Sequence, residues 1–332
     1  MSGRLPWFAL ACLVASAAIA ADPPLSAADQ VAQMKRGVNI VGYDPLWNDA
    51  SRARFKPKHF KIIKDGGFDH VRINLHAFRH MNGNGRMDPA WYATLDTLVR
   101  DALAQKLHVI LDEHDYEKCA DDTAICRRLV LAFWSQVADH YQTASNCVMF
   151  EILNEPNRKM DPEWNALLAD ALAVIRKTNP TRNVVVGPAF WNNISRLPQL
   201  DLPGDDRHLI VTIHYYAPMR FTHQGARWTP EYQNLSGVSW GSPAERAALE
   251  KDFDEAQAWA KVHDRPLLLG EFGAYDDAPI ESRVAYTAAV ARAAEQRGWA
   301  WSYWQFDSNF VVYRIDADRW NEPIYRALVP AP

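Results

Sequence analysis

Neither sign of charge dominates this 332-residue sequence: 36 Lys and Arg stand against 40 Asp and Glu, a formal net charge of -4. A field that weak gives no grip on nucleic acid or on an anionic membrane surface. Cysteine is scarce, with four residues in the chain, and no Cys-x-x-Cys pair is among them. No Ser/Thr/Pro-rich linker, low-complexity tract or solenoid-period repeat appears, so a tandem array is not expected. No glycine-rich phosphate loop follows an early apolar run, which weakens the case for a doubly wound nucleotide-binding sheet. What is present is ordinary for a folded soluble domain: 48% hydrophobic and 23% charged residues, which excludes wholesale disorder. Tryptophan alone is plentiful, with thirteen. Indole faces pack on sugar rings and in protein cores alike, so composition leaves both uses open.

The N-terminus reads as a leader. Arg4 supplies a positive start, Trp7 to Ile19 is apolar, and Ala18-Ile19-Ala20 forms a small-x-small cleavage site before Asp22-Pro23-Pro24. The apolar stretch is too short for a comfortable membrane span. Residues 1–21 are therefore expected to be a signal peptide, residues 22–332 a single catalytic domain, and the mature protein secreted or periplasmic, free of the membrane. Export makes a disulfide permissible. Cys119 and Cys126, seven positions apart in Cys-Ala-Asp-Asp-Thr-Ala-Ile-Cys, can close a small loop worth roughly 2–3 kcal/mol. The alternative is that they stay reduced. Cys147 opens an apolar run and is expected to be a buried free thiol.

Along the chain, short apolar runs alternate with longer amphipathic stretches. Strands are predicted at Gly37–Val41, His70–Leu75, His108–Asp112, Val148–Leu153, Asn183–Gly187, Leu209–His214, Pro266–Gly270 and Trp299–Trp304. Most are continuously apolar, as strands buried on both faces must be. Helical patterns fall between them at Pro57–Asp65, Pro89–Leu103 (with Asp88 placed to cap it), Cys126–Tyr141, Asp161–Thr178, Pro243–His263 and Pro279–Arg297, and a last one at Arg319–Val329. Eight strand–helix units in one chain predict an α/β fold, a closed (β/α)8 TIM barrel. From Ala217 to Gly241 no element is evident, yet Phe221, His223, Trp228, Tyr232 and Trp240 lie there. An aromatic loop of that length is expected to be functional.

In such a barrel, polar residues at the C-terminal ends of strands point into the site. Those ends carry Arg72, His114, Asn154-Glu155-Pro156, His214-Tyr215-Tyr216, Glu271 in Gly-Glu-Phe-Gly, and Trp304 in Trp-Ser-Tyr-Trp-Gln-Phe. Two carboxylates, Glu155 and Glu271, close the fourth and seventh strands. Glycosidic bond cleavage needs such a pair, one protonated for the leaving oxygen and one ionised against the oxocarbenium-like transition state. A separation of about 5–5.5 Å implies a covalent intermediate and net retention. Arg72 is expected to hold the nucleophile ionised, His214 and Tyr216 to order the carboxylates, and Asn154 to bond a sugar hydroxyl. Asp112-Glu113-His114-Asp115 invites a metal reading. Consecutive strand residues face opposite ways, however, so at most alternate members converge, and neither metal nor cofactor is expected.

These motifs, in this order, resemble glycoside hydrolase family 5, which includes many cellulases; the resemblance runs from Gly37 to about Tyr313. It implies Glu155 as acid/base, Glu271 as nucleophile, and Arg72, His114, Asn154, His214, Tyr216 and Trp304 as the rest of the site. The stretch from His214-Tyr215-Tyr216-Ala217-Pro218 through Phe221 to Trp228 looks like the bacterial endoglucanase branch. The resemblance thus implies a monomeric endo-β-1,4-glucanase acting on β-glucan, with β-mannanase the nearest alternative. A sugar-binding protein that has lost catalysis is the alternative of another class. Trp47, Trp191 and Trp228 are further candidate substrate contacts, with core packing as the rival for each. One departure stands out: relatives often carry His-His after the third strand, and this chain has His114-Asp115.

Overall fold

The structure, a computed structural model, describes residues 23–331, so the expected leader at 1–21 lies outside the described residues. Eight parallel strands close into a barrel in sequential order: β1 (Arg36–Ile40), β2 (His70–Asn74), β3 (His108–Asp112), β4 (Val148–Glu151), β5 (Val184–Val186), β6 (Leu209–Tyr215), β7 (Leu267–Phe272) and β8 (Ala300–Tyr303). Each expected strand is present, shifted by a few residues at most. Helices intervene, among them Lys58–Asp65, Pro89–Ala104, Thr123–His140, Trp164–Arg176, Pro243–His263 and Ile280–Gln296. Their starts follow local chemistry. The Asp88 side chain accepts from the Ala90 amide, and Ser242 with Glu245 forms a reciprocal capping box.

Alternation along the strands sorts side chains into two cores. Outward residues such as Val109, Phe150, Ile213 and Leu269 pack under the helices. Inward residues Ile110, Met149, Val185, Ile210, Leu268 and Ala300 form a separate apolar layer inside the barrel. That layer is completed by a helix the sequence reading missed, Ala27–Met34, whose Ala27, Val31 and Met34 join it. Gln30 on this helix is fully buried against His108 Nδ1 (2.7 Å) and receives Asn183 Nδ2 (3.1 Å). The N-terminal mouth of the barrel is thereby plugged, and the opposite mouth is the one left for a site.

Three expectations are corrected. Arg319–Val329 is not one helix: Arg319–Trp320 pairs antiparallel with Tyr313–Arg314, and the helix is Glu322–Leu328, starting beside Pro323. Cys147 is half-buried rather than buried. The loop from 217 to 241 contains a helical turn at Met219–Thr222. It is held from within, since Gln224 is buried and bonds the Phe221 and Val238 carbonyls and the Val238 amide. Phe221 and Trp240 anchor it against Tyr286.

Candidate active site

Above the apolar layer the barrel interior turns polar. Arg72, on the inward face of β2, is fully buried and uses all five of its N–H donors. Nε and Nη2 grip Glu151 side-on at 2.7 and 2.9 Å. Nη1 reaches Asn39 and Glu271, both at 2.8 Å. Nη2 also bonds Asn154 Oδ1 at 2.8 Å and lies 3.2 Å from Asp112. A rigid planar fork suits this arrangement, and a lysine would offer a single point charge instead.

Glu271 reaches this centre through an irregularity. Leu268 faces inward, so simple alternation would turn Glu271 outward. The β6–β7 register slips between Ile213 and His214: Ile213 pairs with Leu269, and His214 with Glu271. The extra residue is Gly270, and such a bulge re-aims the side chain that follows it. Gly270 must lack a Cβ, which would stand 2.4 Å from Thr212 Oγ1. Both Glu271 oxygens then accept hydrogen bonds, Oε1 from Arg72 and Oε2 from the Tyr216 hydroxyl at 2.9 Å.

Glu155 leaves β4 on a backbone with φ +43°, a left-handed conformation uncommon outside glycine. Its carbonyl accepts from Asn157 Nδ2 at 2.6 Å. His214 Nδ1 lies 2.8 Å from Glu155 Oε1 and 3.6 Å from Glu271 Oε2. Carboxylate oxygens of Glu155 and Glu271 and a ring nitrogen of His214 all fall within 4.8 Å of one another. Burial pushes both carboxyls up, Glu155 to about 8 and Glu271 to about 7. Arg72 draws both down and Asp112 pushes both up, while the charge of Glu151 adds a push on Glu155. Burial lowers the His214 ring, keeping it neutral.

His114 lies two residues beyond β3, its Nδ1–H donating to Asp112 Oδ2 at 2.6 Å, so alternate members of the Asp112–Asp115 run do converge. Asp115 instead turns back to accept the Phe78 amide at 2.7 Å. Trp304 stacks on His114 (centroids 5.4 Å apart, planes 7°). Beside them a cavity of about 610 Å³ opens, lined by Tyr43, Trp47, His76, His114, Tyr116 and Trp304 among others. Trp47 is 6% exposed, stacked on Trp91 and bonded to the Asn74 carbonyl, so it packs as core and meets the cavity at an edge. Trp191 (38% exposed, after β5) and Trp228 (52% exposed, after β6) stand on the far side of the mouth. The Cys119–Cys126 bridge is formed and joins the turn Tyr116–Asp121 to the following helix beside the cavity.

A model of the cellulase family, glycosyl hydrolase family 5, matches residues 31–310. The chain belongs to that family. Endoglucanase H of Acetivibrio thermocellus is 27% identical over 314 residues, covering 90% of this chain and 33% of that protein. Endoglucanase 3 of Fibrobacter succinogenes is 23% identical, covering 84% and 50%. The chain thus spans half or less of these two relatives. Among solved structures, endoglucanase Cel5A of Thermotoga maritima is 36% identical with a TM-score of 0.88, over 92% of this chain and 100% of that one. That enzyme has also been solved with cellobiose and with mannotriose.

For this family 5 chain, strand-end reading missed Glu151 altogether and the place of Asp112 beneath the rim. Glu151 and Asp112 complete the Arg72 cage, and Asn39 and Asn74 brace it. The available signal was a charged residue inside an apolar run, Val-Met-Phe-Glu at β4. Asn192, fully buried against His214 Nε2, carried no such signal. Among the described residues, the trio Glu155, His214 and Glu271 is the group with geometry for a shared cation. Its donor atoms are already engaged: Glu271 by Arg72 and Tyr216, and His214 by Glu155 and Asn192. The His-x-x-x-His spacing of His76 and His80 does not form such a group, and His76 Nε2 bonds the Gly42 carbonyl at 2.8 Å.

Proposed function

We propose that this chain is a retaining endo-β-1,4-glucanase in which Glu271 is the nucleophile and Glu155 the acid/base. The observation that carries this reading is the pair itself: a half-buried and a buried carboxyl within 4.8 Å, the buried one with both oxygens bonded to an arginine and a tyrosine. That spacing falls short of the roughly 6.5–9.5 Å that an attacking water beside the sugar requires, and favours direct attack. Glu271 attacks the anomeric carbon while Glu155 protonates the departing glycosidic oxygen. The resulting glycosyl ester is hydrolysed by a water that Glu155, now ionised, deprotonates. Asn154, its Oδ1 committed to Arg72, has amide hydrogens for a sugar hydroxyl.

Placement of the aromatics supports an endo action. Tyr43 and Trp304 lie by β1 and β8, Trp191 and Trp228 by β5 and β6, and the carboxyls sit between on β4 and β7. A β-glucan chain laid across the mouth meets a ring surface on each side of the cut. Mannan is a second reading, favoured by the mannotriose complex of the Thermotoga enzyme. Export rests on the N-terminal leader motif, with a monomer acting outside the cytoplasm. Glu155→Gln and Glu271→Gln should each cost at least about a hundredfold in hydrolysis of a soluble glucan. Unchanged rates in either would refute the assignment and favour a non-catalytic sugar-binding protein. Products from carboxymethylcellulose, lichenan and mannan, with the anomer followed by NMR, separate the substrate readings and test retention.

A further inference from the structure

After β5 the backbone does something costly. Phe190, Trp191 and Asn192 all take left-handed φ values, +60°, +58° and +54°, with no glycine among them. Side-chain-bearing residues resist this conformation, and a run of three persists only where surroundings over-determine it. Here they do. The Phe190 amide donates to Asp161 Oδ1 at 2.7 Å and the Trp191 amide to the Pro156 carbonyl at 3.1 Å, tying the turn to the loop that carries Glu155. The turn drives Asn192, fully buried, onto His214, with Nδ2 3.2 Å from Nε2. Gly187 makes room, since a Cβ there would stand 2.3 Å from Asn192 Oδ1.

A neutral imidazole has one N–H and one lone pair, and the partner of one nitrogen dictates the state of the other. Asn192 turns Nδ2, a donor, to Nε2 and leaves its own Oδ1 beside Gly187 without a partner; in this orientation Nε2 supplies the lone pair and the proton stays on Nδ1. The Gly270 backbone packs against the same nitrogen, where a Cβ would come within 2.9 Å. Nδ1–H then donates to Glu155 Oε1 at 2.8 Å. An oxygen accepting that bond is the poor place for the carboxyl's own proton, which is left to Oε2. We propose that Asn192 is a positioning residue: by holding His214 as its Nδ1–H tautomer, it directs the acid proton of Glu155 to Oε2, the oxygen free to meet the glycosidic bond. With the opposite tautomer, Nδ1 would accept and the Glu155 proton would point at the ring.

This inference rests on Glu155 being the acid/base. The discriminating measurement is kcat/KM for aryl β-cellobiosides of differing leaving group, because only poor leaving groups need protonation. Asn192→Ala should lose at least about tenfold on a phenyl-type substrate of high leaving-group pKa and stay within about threefold on the dinitrophenyl analogue. The basic limb of its pH profile should shift as well. A merely structural role would lower both substrates alike, and that result overturns the proposal. Glu155→Ala is the control: equal losses on both substrates there would instead overturn the reading of Glu155. Histidine 15N NMR on the unaltered chain decides independently of any variant's folding. A protonated Nδ1 and bare Nε2 on His214 are expected, and the reverse assignment sinks the idea.

Discussion

Removing Arg72 tests the centre of the site most directly. Its guanidinium is 0% exposed and touches three carboxylates, Glu151, Glu271 and Asp112, at 2.7 to 3.2 Å. A buried charge stripped of its partner costs about 3–5 kcal/mol, less whatever protonation recovers. Three carboxylates would share the loss in Arg72→Leu, and protons would bind to relieve it. About 4 kcal/mol at pH 8 is therefore expected from the shift in guanidinium midpoint relative to the parent. The sign of the pH dependence follows. In the variant these carboxyls have folded-state pKa values raised above their unfolded ones, so folding takes up protons and stability falls as pH rises between the two. The deficit should shrink at pH 5 and widen at pH 8. Arg72→Lys should recover less than half of it, because an ammonium cannot meet acceptors on five sides. A deficit under about 1 kcal/mol, or one flat from pH 5 to 8, would refute the claim that Arg72 neutralises the buried cage.

The same sign applies to Glu155, the proposed acid. With Glu155 held up at about 8, ionising it in the folded state is unfavourable, so Glu155→Gln should melt higher than the parent at pH 9 and equally at pH 5. Equal melting at both pH values would contradict the shift. Reducing the Cys119–Cys126 bridge, or replacing both residues by serine, should lower stability by about 2–3 kcal/mol from loop-closure entropy and raise KM through the neighbouring cavity wall at Tyr116. Trp228→Ala should raise KM for a polymeric glucan several-fold and leave cellobioside hydrolysis near parental, since its exposed ring stands away from the carboxyl pair on the β6 side. A parental KM on the polymer would return Trp228 to a packing role against Tyr275.

Local pattern carries the elements of this fold and stops short of their side-chain surroundings. Strand positions and most helix starts were legible because each is written within a few residues: an apolar run, Asp88 before Pro89, Ser242 three before Glu245. Glu155, His214, Tyr216 and Glu271 were legible for the same reason, as polar residues at the ends of apolar runs in a fold whose strand ends converge, whereas Arg72 stands in the middle of β2 and reaches the site from there. Trp47 was left open between core and cleft because indole chemistry is the same in both, and the structure gives it a part in each: it is packed on Trp91 and meets the cavity at an edge. Glu151 was passed over, and Asp112 was weighed only in a metal-like run, because burying three carboxylates makes no local sense until Arg72 is seen between them.

What the residues determined by themselves is the eight-stranded grammar and the presence of two glutamates at strand ends. What only the tertiary structure decided is which way those glutamates face and what surrounds them. Alternation along β7 points Glu271 out of the barrel, and the slip at Gly270, defined by pairing with β6, points it in. Asn192 meets His214 because three left-handed residues carry it there from β5. Register between strands and the convergence of charge at a barrel's centre are set by contacts between residues distant in sequence. A period of two cannot encode them.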